Sequence, residues 1–330
     1  MRVLNALYVV VGLALLAAVF NEVDVGEVWA LSLRIGWAGM ALVIALYAVG
    51  FLIDSFTWQM AMAGVPLDAR WLWRAFKVRM VGETFNNIVP AAGMGGEPVK
   101  AMLLSKHYGI GYREGTASII LGRTINMVAQ MPFLAIGLVV VWLSDLPVQF
   151  KTMAVIGLLG FVAVTAIFFY AQRLRVVSLT GTWLGRWPLL RRINDILHHV
   201  RDMDERLIHF YTRNRARFAA AIGLAFLNWV AGAAEIYVAM IFLGHPVSFA
   251  EAWMIEAAVQ LVRSAAFVVP AAVGVQEGTF FLVCGIVTGQ PTLGVAVALI
   301  RRGRELAWLL LGAGFGVLYA LRPTRAGKRD

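Results

Sequence analysis

The sequence predicts an all-α integral membrane protein with about six spanning helices plus two broken, re-entrant helical hairpins, arranged as an inverted repeat. Three observations carry that expectation. The composition is too apolar for a chain dissolved in water, apolar stretches of spanning length recur along it, and one Pro–Gly–Glu pattern occurs twice. Hydrophobic residues fill 60% of the 330 positions and charged residues 15%, with a mean hydropathy of +0.76. Soluble domains are about half apolar and about a quarter charged. The excess apolar surface here needs lipid as part of its solvent.

The spanning stretches fall at about 4–20, 36–56, 116–142, 152–171, 218–243 and 292–321, each near the 17 to 25 residues a membrane helix needs. The first follows Arg2 and ends before Asn21-Glu22-Val23-Asp24. No small-x-small cleavage site follows it, so it reads as a retained helix rather than a signal peptide. Two further stretches, about 75–106 and 251–290, are interrupted by Pro, Gly and charge. The whole of 1–330 reads as a single transmembrane domain. Its first repeat spans about 36–171, a cytoplasmic amphipathic segment about 172–217, and its second repeat about 218–321.

The net charge of +10 is read first as topology, because Lys and Arg collect on the cytoplasmic side. Between Gln172 and Arg217 stand ten arginines against Asp195, Asp202, Asp204 and Glu205, and the tail adds Arg322, Arg325, Lys328 and Arg329. Both segments and both termini are expected to be cytoplasmic. In the loop, Leu189, Ile193, Ile196, Val200, Met203, Leu207 and Phe210 recur at helical spacing, which reads as an amphipathic helix on the leaflet or on the protein itself. No RNA-binding signature accompanies the charge, so nucleic acid is not an expected partner. The only cysteine, Cys284, lies in an apolar segment and excludes an internal disulfide.

Internal self-similarity carries the functional argument. Val89-Pro90-Ala91-Ala92 leads into Gly93, Gly95, Gly96 and Glu97, and Val269-Pro270-Ala271-Ala272 leads into Gly274 and Glu277. In each, the glutamate follows the proline by seven residues, and a spanning segment begins just over fifty residues upstream, at Trp37 and Phe218. Pro removes a backbone donor and Gly permits close approach, so a helix breaks there. Broken backbone is tolerated at membrane depth only inside protein or beside a wet cavity. With the N-terminus inside, the two motifs enter from opposite faces, as in transporters built from inverted repeats.

A charge in such a place costs on the order of 2.5 to 3.5 kcal/mol on insertion scales, so it needs a partner. Lys100 and Arg123 are the partners expected for Glu97, with Asn86 and Asn87 nearby as donors and acceptors. Around the second motif Glu256, Gln260 and Arg263 share one stripe, Gln276 adjoins Glu277, and Arg301, Arg302, Arg304 and Glu305 interrupt the last helix. Internal salt bridges that lock the bundle are the plain alternative. The preferred reading is one polar cavity shared by Glu97 and Glu277.

At these residues the chain resembles the flippase-like superfamily of the lysylphosphatidylglycerol synthase transmembrane domain, from about Ala38 to Leu321. Asn86, Pro90, Gly96, Glu97 and Lys100 match its first motif, Arg123 an arginine in its next helix, and Pro270, Gly274 and Glu277 its second. The stretches Arg263-Ser264-Ala265-Ala266-Phe267-Val268-Val269-Pro270, Gly274-Val275-Gln276-Glu277-Gly278 and Leu299-Ile300-Arg301-Arg302 look closest to the HpnL-type proteins associated with hopanoid biosynthesis. Ala271-Ala272 departs from the Gly found there in the family, which bears on how tight the second turn is.

The resemblance implies movement of lipid or lipid-linked glycan across a bacterial cytoplasmic membrane, linked to hopanoid or other envelope-lipid biosynthesis. The expected partners are an anionic, polyhydroxylated or polyprenyl-linked lipid headgroup, a second copy in a homodimer, and envelope-lipid biosynthesis proteins. No metal, cofactor or enzyme activity is expected. Aminoacyl-transferring members rely on a large soluble C-terminal domain, whereas this sequence stops at Asp330. Asp202-Met203-Asp204 beside His198-His199 formally matches a metal-binding pattern, but about forty-five loop residues are too few for a nucleotide-sugar domain. The competing reading is a non-catalytic scaffold for lipid-biosynthetic enzymes.

Overall fold

A computed structural model describes residues 2–62, 64–88, 95–173, 214–266 and 269–321. Pro90, the loop stripe with Asp202 and Asp204, and the tail beyond Leu321 lie outside the described residues. The helices are α1 (Arg2–Asn21), α2 (Val25–Leu33), α3 (Gly36–Ala61), α4 (Ala69–Ile88), α5 (Glu97–Tyr108), α6 (Tyr112–Leu143) and α7 (Val148–Arg173). The second half holds α8 (Arg215–Phe242), α9 (Phe249–Ala265), a 3₁₀ turn at Pro270–Ala272, α10 (Val275–Thr288) and α11 (Pro291–Ala320). No strand occurs among the described residues.

Four of these helices, α3, α6, α7 over Val148–Ile167, and α8, are long and apolar enough to cross a membrane. Of the other two stretches expected to span, α11 runs 30 residues but carries Arg301, Arg302, Arg304 and Glu305 midway. The apolar part of α1 described in full, Val10–Asn21, is shorter. On α7, Met153, Ile156 and Leu159 expose 71%, 64% and 63% of their surface, a band that water would not tolerate and lipid covers. The chain is an all-α, multi-pass membrane protein.

The halves run through the same order of elements: α3, α4, break, α5, α6, then α8, α9, break, α10, α11. Helices α3 and α8 form the most extensive packing and run antiparallel. At one end Arg217 of α8 donates to the Gln59 and Met62 carbonyls (3.2 Å each), and at the other Gly39 of α3 lies against Phe242. Several of the remaining contacts are reciprocal. Helix α4 packs on α11 as α9 packs on α6, and each short helix packs along the helices before and after it.

Small residues allow these approaches. Gly96 sits so close to the Gly82 carbonyl that a side chain has no room, and its N–H donates to Asn86 Oδ1 at 2.7 Å. That contact folds α5 back along α4. The 12 residues of α5 and 14 of α10 extend about 18 and 21 Å, short of the roughly 30 Å hydrocarbon core. Both helices end on a left-handed glycine, Gly109 and Gly289, twelve residues after their glutamates. Helix α9 begins with a capping box, Ser248 with Glu251.

The second turn is tight despite its alanines. Ala271 and Ala272 adopt φ of 50° and 49°, a conformation glycine takes freely and L-residues resist. Helix α1 contributes to the constraint, since Gly12 lies against the Val273 carbonyl and Gly274 against the Gly12 carbonyl. Left-handed backbone costs an alanine about 1–2 kcal/mol, and glycine loses about 0.5–1 kcal/mol in chain entropy. Ala271→Gly and Ala272→Gly should therefore each raise stability in detergent, by up to about 1.5 kcal/mol. Gly96→Ala, which drives a methyl into the Gly82 carbonyl, should lower it. Thermal unfolding measures all three, and loss of stability in both glycine variants would contradict the strained turn.

Candidate functional site

Charges inside a membrane bundle persist where they meet opposite charges, and here they gather in two clusters. In the first, α5 begins at Glu97, whose carboxylate lies in the first turn where the helix dipole favours it. Glu97 Oε1 accepts from Arg123 of α6 at 2.5 Å and from Lys100, one turn on, at 3.3 Å. Lys100 also reaches Glu83 of α4 at 3.2 Å. Arg79, one turn before Glu83, closes on Asp54 of α3, whose other oxygen accepts from Asn126 Nδ2 at 2.9 Å.

These groups surround a cavity of about 210 Å³, lined by Asp54, Trp58, Arg79, Glu83, Glu97, Lys100, Ile119, Gly122, Arg123, Asn126, Asn228 and Trp229. The side chain of Arg123 is 54% exposed and that of Glu83 30%, whereas Lys100 shows 8%, so the cavity runs from a rim at Arg123 to a buried floor.

The second cluster lies across α8 to α11. Arg301 stands between Glu235 (3.3 Å) and Glu256 (2.6 Å), all three nearly inaccessible, and Gln260 donates to Glu256 at 2.7 Å. Arg304 closes on Glu235. Arg302 reaches Glu277 at 2.6 Å and Glu305 at 2.8 Å, and donates to the carbonyls of the strained turn, Ala271 (2.9 Å) and Ala272 (3.3 Å). Arg263 donates to Gln276 at 2.7 Å and stands 3.9 Å from Glu305. Glu277 also accepts the Gly274 N–H at 2.8 Å, capping α10.

The same pairing thus appears in both halves. A motif glutamate in the first turn of a short helix binds an arginine of the next long helix, 26 residues on in one case and 25 in the other. Among the described residues, the cavity is not the one expected from sequence to be shared by both motifs. Glu97, Lys100 and Arg123 line the cavity, and no residue of the second motif does. An aromatic cluster of Tyr47, Phe51, Phe76 and Trp308 stands between them. Arg79 lies 5.0 Å over the Phe51 ring on one side and Arg304 3.8 Å over Tyr47 on the other.

Other expected site residues hold the frame. Asn86 secures the α4–α5 turn, Asn87 donates back to the Glu83 carbonyl at 2.8 Å, Gly95 and Gly96 make the turn, and Pro270 and Gly274 make the second. Sequence reading passed over Asp54, Arg79, Glu83, Asn126 and Glu235. Two of these carried a usable signal, since Asp54 and Glu235 are lone acids deep within long apolar helices.

The clusters differ in how much folding depends on them. Removing one partner of a fully buried pair costs about 3–5 kcal/mol, and removing an exposed one costs about 0–1 kcal/mol. Glu256→Gln should therefore lower stability sharply and Arg123→Gln only slightly, as read by unfolding in detergent. Equal losses would contradict the burial difference between the two.

Comparison with known proteins gives a consistent result. A family model described as lysylphosphatidylglycerol synthase TM region matches residues 5–314. A UPF0104 membrane protein of Pyrococcus horikoshii is 21% identical over 319 residues, covering 90% of this chain and 91% of its own. A UPF0104 membrane protein of Methanothermobacter thermautotrophicus is 20% identical over 332 residues, covering 95% and 94%. No solved structure matches. With nearly its whole length matched, the chain belongs to the family of the lysylphosphatidylglycerol synthase transmembrane region.

Proposed function

We propose that this protein seats a polar lipid headgroup in the cavity between α3, α4, α5, α6 and α8 and so lowers the barrier to its passage between leaflets. The observation that carries the reading is a cavity walled by charged groups yet open at the Arg123 rim, in a bundle whose outer helices face lipid. A headgroup entering there exchanges water for fixed polar groups while its tails stay in the bilayer. No covalent step belongs to this proposal. A link to hopanoid or other envelope-lipid biosynthesis remains part of the reading through the family resemblance.

The membrane arrangement proposed with it is an inverted repeat. Two corresponding helices, α3 and α8, pack antiparallel, so a two-fold axis relating the halves runs perpendicular to them and lies in the membrane plane. Helices α5 and α10, too short to cross, are then the returning arms of re-entrant hairpins entering from opposite faces. With cytoplasmic termini, Gly111 faces the cytoplasm and Gln290 the other side. Single cysteines at those positions, in a Cys284→Ala background, should label from opposite faces of sealed vesicles. Labelling from one face would exclude the inversion.

Purified protein in vesicles should move fluorescent lipid analogues between leaflets, read by quenching of the outer leaflet. Glu97→Gln and Arg123→Ala should each slow transfer by about tenfold, the loss of one charge-assisted hydrogen bond of about 1.5 kcal/mol. The sequence alone makes Arg123→Ala the more severe, by stranding Glu97. Lys100 at 3.3 Å prevents that, so the two variants should be comparable. Wild-type vesicles that move no lipid across a broad panel would overturn the transport reading and favour a scaffold.

A further inference from the structure

The charge balance of the cavity points to the kind of headgroup it takes. Resting on the transport reading above, we infer that the site accepts an electrically neutral, polyhydroxylated headgroup, such as a glycosyl group on a lipid, in preference to an anionic one. The lining carries three carboxylates, Asp54, Glu83 and Glu97, and three cations, Arg79, Lys100 and Arg123. Each cation is within ion-pair distance of a lining carboxylate. The site is therefore neutral and its charges are committed to one another, although the chain as a whole is at +10. A phosphate would have to break pairs already made, with desolvated carboxylates beside it, and like charge at close range costs more in a low-dielectric site than in water.

What the lining leaves open is hydrogen-bonding capacity without net charge. Asn228 is half-buried at the cavity wall and makes no hydrogen bond or ion pair among the described residues. Its amide offers two donors and an acceptor. A hydroxyl group both donates and accepts, so a polyol answers both ends of that amide, whereas a phosphate diester oxygen only accepts. Trp58 and Trp229 add apolar ring surface, suited to the C–H faces of a sugar ring. A cavity of about 210 Å³ holds several waters, which one sugar ring and its hydroxyls replace in part.

The experiment compares three probes in the same reconstituted vesicles: fluorescent monoglucosyl diacylglycerol, fluorescent phosphatidylglycerol, and radiolabelled free glucose. The inference expects the glucosyl lipid to cross at least about tenfold faster than phosphatidylglycerol, a barrier difference of about 1.4 kcal/mol, with no uptake of free glucose. Asn228→Leu should remove most of the glucosyl-lipid movement. Glu83→Gln, which leaves the lining one positive charge in excess, should shift the ratio toward phosphatidylglycerol, an outcome that simple loss of folding does not produce. Phosphatidylglycerol crossing as fast as the glucosyl lipid, with Asn228→Leu unaffected, overturns the neutral-headgroup inference and leaves the transport reading standing. Uptake of free glucose without movement of either lipid keeps the neutral polyol site and overturns the lipid reading. If none of the probes moves, both fall.

Discussion

The cost of a charge away from water governs this structure. A lone carboxylate or guanidinium inside a membrane bundle is expensive, and removing one member of a buried pair leaves the other stranded. Two charge-balanced clusters meet that constraint, one around Glu97 and one around Glu277, and each is assembled from helices distant in sequence. Pairing Asp54 with Arg79 ties α3 to α4, and setting Arg301 between Glu235 and Glu256 ties α11 to α8 and α9. The charges thus fix which helices are neighbours, and Gly96, Gly274 and Gly312 let the backbones come close enough for the pairs to close.

The two clusters share one plan and differ in how closed they are. Both place a glutamate in the first turn of a short helix and an arginine on the following long one. In the second cluster four carboxylates and four arginines pair with one another, Arg302 adds the Ala271 and Ala272 carbonyls, and Arg301 and Glu256 are buried at 3% and 2% exposure. In the first, the rim stays open at Arg123 and a cavity remains. One cluster is packed shut and the other borders a cavity, with the Tyr47, Phe51, Phe76 and Trp308 rings between them.

Much of this was legible in the sequence because it rests on local signals. Apolar stretches of spanning length mark α3, α6, α7 and α8, and the repeated Pro–Gly–Glu motif marks both turns. The spacing of Glu97 and Lys100, and of Glu256 and Gln260, marks pairs on one helical face. What was not legible is the three-dimensional partition. Tyr47, Phe51, Phe76 and Trp308 read as ordinary core residues, and nothing in their spacing says that they divide one set of charges from another. Asn86 read as a ligand group because it can donate and accept, and the fold uses its oxygen to hold the Gly96 N–H. The alanines at the second turn suggested a looser bend, whereas the α1 contact at Gly12 and the Arg302 hydrogen bonds hold it left-handed.

The most direct test of this account is a structure of the protein in a lipid nanodisc containing monoglucosyl diacylglycerol, at a resolution that shows headgroups. The account predicts a headgroup between Glu97, Arg79 and Asn228, its acyl chains leaving past Arg123, and no lipid within the Glu277–Arg302 cluster. An empty cavity with lipid confined to the outer surface, or a headgroup seated against Arg302 instead, would contradict it.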